Sequence, residues 1–141
     1  MRKILCFIAS SVCVNIAMAI PTDTIDYWHV YYNGVKIGDF NHLSSVRTIT
    51  FEIDSINTAD SITVRYYRDT PCFYCSTTLV AENQENLKVS TSVGKGTFAP
   101  ISFYLKSFVE YRRNNKNSLF EIFYIEENRP ERILLFMIRI E

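Results

Sequence analysis

The chain has 141 residues and a mass of 16.4 kDa, with 15 basic and 15 acidic side chains. That length is enough for one domain. Four glycines and four prolines exclude a collagen-like or low-complexity chain, and a formal charge of zero lacks the basic surplus of a nucleic-acid binder. An aromatic content of 14% and four cysteines are left to explain.

The first segment reads as an address. Met1, Arg2 and Lys3 are followed by an apolar run over 4–16, interrupted only by Ser10, Ser11 and Asn15, and then by Ala17-Met18-Ala19. A short basic region, an apolar stretch and a small-x-small site define a secretory signal peptide over 1–19, cleaved after Ala19. The run is shorter than the roughly 20 residues a bilayer-spanning helix needs, so no membrane span is expected after cleavage. Acylation at Cys13 is disfavoured, because Val12 stands where a lipoprotein site takes a small residue. Export from a bacterial cell, to the periplasm or beyond, is the expectation. The remaining chain, 20–141, is expected to form a single domain. It keeps 13 basic and 15 acidic residues, a net charge of −2, and one cysteine pair, Cys72 and Cys75, in a disulfide-permitting compartment.

The rest reads as strands. Residues 27–40 form a hairpin about Asn33-Gly34, the pair that a type I′ turn favours. A two-residue loop sets Val30 opposite Ile37 and Trp28 opposite Asp39, which gathers Trp28, Val30, Tyr32, Val35 and Ile37 on a core face. Tyr27, His29, Tyr31, Lys36 and Phe40 share the other. Residues 46–54 alternate, with Ile49, Phe51 and Ile53 on one side, and Ile62, Val64 and Tyr66 repeat the pattern. Residues 77–82 and 87–91 are shorter strands, and Gly94-Lys95-Gly96 marks a loop. Over 100–113, Ile101, Phe103 and Leu105 fit a strand, whereas Ile101, Leu105, Phe108 and Val109 fit helical spacing, begun by Pro100 and ended by Arg112 and Arg113. The reading adopted is an extended start followed by one or two helical turns across the end of a sheet. Residues 119–126 and 133–140 form a last hairpin, with Leu134, Phe136, Ile138 and Ile140 on one face. Seven or eight short strands, with at most one short helix near 104–113, specify an all-β fold. The expected fold is an antiparallel β-sandwich, immunoglobulin-like in general architecture but without the Cys…Trp…Cys pattern of true immunoglobulin domains.

Pro71-Cys72-Phe73-Tyr74-Cys75 is the most distinctive motif. It is not a haem attachment, because Ser76 occupies the position that takes histidine. A structural zinc site needs four ligands, and only His29 and His42 remain to complete one, so no metal is assigned. Residues three apart on a strand lie about 10 Å apart, too far for a disulfide's Cα separation of about 4.4–6.8 Å. A bond between Cys72 and Cys75 therefore requires a turn through Phe73-Tyr74. A structural disulfide pinning that turn is the preferred reading. A redox pair, with Arg65 or Arg68 lowering a thiol pKa, is the alternative.

The other candidates are weaker. His29 and His42 lack a nucleophile elbow or oxyanion loop and read as surface histidines. A hydrolase reading would need a polar cleft around one of them. Asp23/Asp26 and Glu126/Glu127 read as solvated turn charge, and Lys106, Arg112, Arg113 and Lys116 as a helix end. The tyrosine-rich face remains: Tyr27, Tyr31 and Phe40, with Phe73 and Tyr74 and also Tyr67 as candidate additions, offers rigid apolar area with hydroxyls to a carbohydrate or to another envelope protein. The expected function is an exported, non-catalytic binding or structural module without a cofactor. The alternative is a periplasmic thiol–disulfide relay through Cys72 and Cys75.

Overall fold

A computed structural model describes residues 25–45 and 47–141. The signal-peptide reading over 1–19, the start of the domain at Ile20, Cys6, Cys13 and Val46 lie outside them. Nine strands and one helix are present among the described residues: β1 (Tyr27–Tyr32), β2 (Val35–Asn41), β3 (Thr48–Phe51), β4 (Ser61–Tyr67), β5 (Ser76–Asn83), β6 (Lys88–Lys95), β7 (Ile101–Tyr104), α1 (Lys106–Asn114), β8 (Leu119–Glu126) and β9 (Arg132–Ile140). They build an all-β sandwich of a four-stranded sheet, β2-β1-β4-β7, and a five-stranded sheet, β3-β9-β8-β5-β6. Pairing is antiparallel throughout except at β3, which runs parallel to β9 from Thr48↔Met137 to Phe51↔Ile140. Among the described residues no helix is long and apolar enough to cross a membrane.

Period-two alternation explains the core. Ile62, Val64 and Tyr66 of β4 turn inward, as do Phe120, Ile122 and Tyr124 of β8, and Trp28 and Val30 of β1 complete the facing layer. Helix α1 follows β7 and closes one end of the sandwich. Its Phe108 is wedged between Phe103 and Phe120, with ring centroids 5.1 Å apart in both cases. The extended-then-helical reading of 100–113 therefore holds. The expected loop at Gly94 does not, because β6 continues through Gly94 and Lys95 and ends only at Gly96. The third expected strand is also shorter, since a 3₁₀ turn at Ile53–Ser55 follows β3.

Two bulges revise the faces inferred from strict alternation. Asn33 and Gly34 both have positive φ (47° and 83°), as the type I′ turn requires. The β1–β2 register then slips between Val30 and Tyr31, leaving Ile37 unpaired and setting Gly38 opposite Val30 and Phe40 opposite Trp28. Ile37 (40% exposed) is thus outside the core, and Val35 (67%), although still opposite Tyr32, is exposed at the end of the edge strand. Phe40 turns inward and packs against Phe136, with centroids 6.2 Å apart. Its ring occupies the space a side chain at position 38 would need. In the last hairpin a slip between Ile122 and Phe123 puts Leu135 and Phe136 both inward and pairs Leu134 with Phe123 on the outer face.

One carboxylate joins three segments at the other end of the sandwich from the cysteines. Asp60 accepts hydrogen bonds from the Tyr32 hydroxyl (2.5 Å), Asn33 Nδ2 (2.9 Å) and the Asn57 N–H (2.8 Å). The Tyr32 bond, followed by the Asn57 N–H, holds the Asp60 carboxyl below the usual carboxylate range. At the opposite extreme, burial and the neighbouring carboxylates push the phenols of Tyr66 and Tyr124 well above the usual tyrosine range. Asp60 is less readily protonated in the folded chain than in the unfolded one, so its contribution is complete above about pH 4 and is lost as pH falls through the lowered folded value. The raised tyrosines contribute fully below about pH 10 and lose that contribution as pH rises toward their folded values. Thermal unfolding measured across pH should show both limbs, and Asp60→Asn should flatten the acid limb selectively.

Candidate functional site

The outer face of the four-stranded sheet carries a continuous band of rings. β1 presents Tyr27, His29 and Tyr31, and the β1–β4 register places Tyr67 opposite Tyr27 and Arg65 opposite His29. Tyr27 and Tyr67 stack at 4.7 Å with planes 10° apart. His29 lies 5.5 Å from Tyr27, 5.1 Å from Tyr67 and 6.3 Å from Tyr31. Beyond Tyr67 the band continues to Phe98 at 5.8 Å and from there to Phe73 at 6.4 Å. Hollows flank both ends. One is lined by Tyr31, Gly34, Thr63 and Arg65, the other by Ile25, Tyr27, Tyr67, Arg68, Asp69 and Phe98. Polar groups edge the rings: Asp39 lies 3.5 Å from His29 Nε2 and 3.2 Å from Lys36 Nζ, and Thr63 shares a 2.7 Å hydrogen bond with Ser102.

Of the six aromatic residues singled out in the sequence, Tyr27, Tyr31, Tyr67 and Phe73 therefore belong to the band. Phe40 does not, because the bulge at Ile37 turns it into the core. Tyr74, although 84% exposed, stands apart with Lys95 Nζ 5.9 Å from its ring centre. Phe98 was missed, and it is the ring that links Tyr67 to Phe73. It sits in the loop after β6, where no periodicity marks it.

The turn through Phe73-Tyr74 brings Cys72 and Cys75 to disulfide distance, with Cα atoms 5.9 Å apart. The loop after β6 clamps this turn. The Gly96 and Thr97 N–H groups donate to the Cys75 and Cys72 carbonyls (2.9 and 2.7 Å), and the Cys72 N–H donates to Thr97 Oγ1 (2.7 Å). Gly96 adopts φ +84°, and a Cβ there would approach the Phe73 carbonyl oxygen to 2.9 Å, so glycine is required on two grounds. Beneath the turn lies Glu126, 1% exposed, which continues the inward alternation of Phe120, Ile122 and Tyr124. Its carboxylate accepts from Thr97 Oγ1 and Tyr124 Oη (both 3.1 Å) and faces Arg68 Nη1 at 3.2 Å. The reading of Glu126 as solvated turn charge is thereby overturned. Arg68 reaches the surroundings of the cysteines through Glu126, whereas Arg65 lies exposed on the outer face of the sheet.

Cys72, Cys75 and Glu126 offer three ligand atoms within 4.8 Å of one another. A cation there would compete with the Arg68 guanidinium for the carboxylate, so the group suits sulfur chemistry better than metal binding. His42 packs edge-on against Trp28 (5.4 Å, 74°) and lies 3.9 Å from Asp26. Neither histidine is hydrogen-bonded to a serine or cysteine among the described residues. At the helix end, Lys106 pairs with Glu110 (3.6 Å) and Arg112 donates to the Asn115 carbonyl (3.3 Å). No known family profile matches the chain, and no curated protein matches it in sequence.

Proposed function

We propose that the protein is an exported, non-catalytic binding module whose aromatic band takes an extended carbohydrate chain. The observation that carries this reading is the run Tyr31–His29–Tyr27/Tyr67–Phe98–Phe73 on one outer sheet face. Tyr27 and Tyr67 cover one face of each other. A pyranose C–H face therefore meets the outer face of that pair and the edges of the tilted rings beside it, and its hydroxyls suit the Asp39, Arg65 and Thr63 groups along the band. Four of the six rings are carried by β1 and β4, so little side-chain freedom is lost on binding. The face is narrow and bordered by charges, whereas the core of a protein–protein interface is depleted of charge. A carbohydrate therefore fits it better than a protein partner does. Export rests on the composition of residues 1–19. The mass of the protein recovered outside the cytoplasm, beginning at Ile20, is the measurement that tests it.

Binding is tested by titrating soluble cello-, chito- and xylo-oligosaccharides. At least one series is expected to bind with an affinity that rises with chain length. Tyr27→Ala should weaken that binding about 30-fold, the effect of removing an anchor contributing about 2 kcal/mol, while leaving the unfolding midpoint little changed. If no series binds, or if Tyr27→Ala and Tyr67→Ala bind like the parent protein, the carbohydrate reading is wrong.

A further inference from the structure

We infer that Cys72–Cys75 is a thiol–disulfide exchange site in which Cys72 is the attacked and attacking sulfur. This site meets the aromatic band at Phe73, but it rests on the cysteines and their donors, so either reading can fail without the other. The two sulfurs differ in access and in hydrogen bonding. Cys75 is 5% exposed, whereas Cys72 is half-buried at the entrance of the turn, beside the exposed rings of Phe73 and Tyr74. Cys72 Sγ faces two donors, the Cys75 backbone N–H at 3.0 Å and Asn128 Nδ2 at 3.4 Å. Once the S–S bond opens, those donors stabilise a thiolate on Cys72, and a stabilised thiolate is both the better leaving group and the species present to attack.

The Cys75 side is the reverse. Both sulfurs lie within 4.8 Å of the Glu126 carboxylate, which Thr97, Tyr124 and Arg68 fix in place, but Cys75 is the buried one and the N–H donors face Cys72. A thiolate on Cys75 would be buried away from those donors, so Cys75 keeps the proton and the donor-faced Cys72 carries the charge.

The step balances as follows. A thiolate of a partner dithiol attacks Cys72 Sγ. The S–S bond breaks, and its electron pair goes to Cys75 Sγ, which takes up a proton. The partner's second thiol loses its proton and attacks the partner sulfur of the mixed disulfide, expelling the Cys72 thiolate. The partner is oxidised to a disulfide, Cys72 and Cys75 are reduced, two electrons move, and the proton lost by the partner's second thiol balances the one taken up by Cys75, with none released. A second disulfide, such as oxidised glutathione, returns the pair to the disulfide by the reverse sequence. Phe73 (66% exposed) and Tyr74 (84%) flank the attacked sulfur and offer apolar contacts to an extended polypeptide carrying the partner cysteines.

The test uses the full chain with glutathione as probe. Glutathione buffers should open and close the pair reversibly in the folded protein. Cys75→Ser should trap a stable glutathione mixed disulfide on Cys72, and Cys72→Ser should trap far less on Cys75. In the reduced protein, alkylation at pH 6 should proceed at least tenfold faster at Cys72 than at Cys75. Asn128→Ala changes an exposed side chain and should slow Cys72 several-fold without altering the fold. Glu126→Gln removes a charge beside both sulfurs, so it should shift both alkylation profiles toward lower pH and leave Cys72 the faster. A pair that glutathione does not open short of unfolding, equal alkylation of the two cysteines, or stoichiometric zinc uptake by the reduced pair would each overturn the proposal.

Discussion

Trp28→Ala is expected to destabilise the fold by about 3–5 kcal/mol, the range for truncating a fully buried aromatic side chain. Trp28 is 0% exposed. Its ring packs near-parallel to Tyr66 at 6.1 Å and edge-on to His42 at 5.4 Å, with the Arg47 guanidinium 5.8 Å from its centre. Arg47 Nη1 also donates to the Leu134 carbonyl at 2.9 Å, so the ring lies where β1 and β4 of one sheet meet an arginine anchored on β9 of the other. A cavity at this point touches both layers at once, and its flexible neighbour, Arg47, is a charged side chain tied to the Leu134 carbonyl rather than an apolar one that could fill it. Single domains have about 5–15 kcal/mol of stability in total, so the variant should unfold at a much lower urea concentration with an unchanged denaturant slope. Trp28→Phe provides the contrast. Among the described residues the indole Nε1 has no hydrogen-bond partner, so phenylalanine removes a buried unpaired donor along with part of the ring. Its cost should be below about 2 kcal/mol. Circular dichroism is the appropriate probe, because Trp28 is the chain's sole tryptophan and both changes remove the fluorescence signal. Equal midpoints for Trp28→Ala and the parent protein would show that the ring does not link the sheets.

Alternation carried most of the architecture into the sequence. Ile62/Val64/Tyr66 and Phe120/Ile122/Tyr124 each bury every second residue, and the two sheets follow once such segments have to cover one another. What alternation cannot encode is a change of phase inside a strand. One extra residue at Ile37 moved Phe40 from the outer face to the core, and a slip at Phe123 moved Leu134 the other way. Gly38 was the available signal for the first, since glycine within a strand often marks a bulge or a close approach. The parallel pairing of β3 with β9 joins residues almost ninety positions apart, and nothing local specifies it. The candidate sites divide in the same way. Tyr27, His29 and Tyr31 were legible as one face because they share a strand. Tyr67, Phe98 and Phe73 come from three further segments that only the fold brings alongside. Glu126 was legible in principle. It extends the buried set of β8 by one more step of two, but the adjoining Glu127 and the turn after it made it read as solvated charge.

Glu126 carries the second large effect. Arg68→Met is expected to cost about 3–5 kcal/mol, because it leaves a carboxylate buried without its counter-charge. The pair is well removed from water, with side-chain exposures of 14% for Arg68 and 1% for Glu126. Screening by solvent, which reduces most surface ion pairs to under about 1 kcal/mol, is therefore weak here. Glu126→Gln should cost less. The amide oxygen still accepts from Thr97 and Tyr124, and Arg68, partly exposed, can reach water. The decisive variant is the double, Arg68→Met with Glu126→Gln, which removes both charges and keeps those acceptor bonds. It should be more stable than Arg68→Met alone, with a coupling of about 2 kcal/mol between the two positions in a double-mutant cycle. Additive single effects would mean that Arg68 stabilises the turn through its packing alone. A recovered double variant would mean that the strand-end charge is tolerated only because Arg68 crosses beneath the cysteine turn to meet it, which ties the stability of β8 to the loop that positions Cys72.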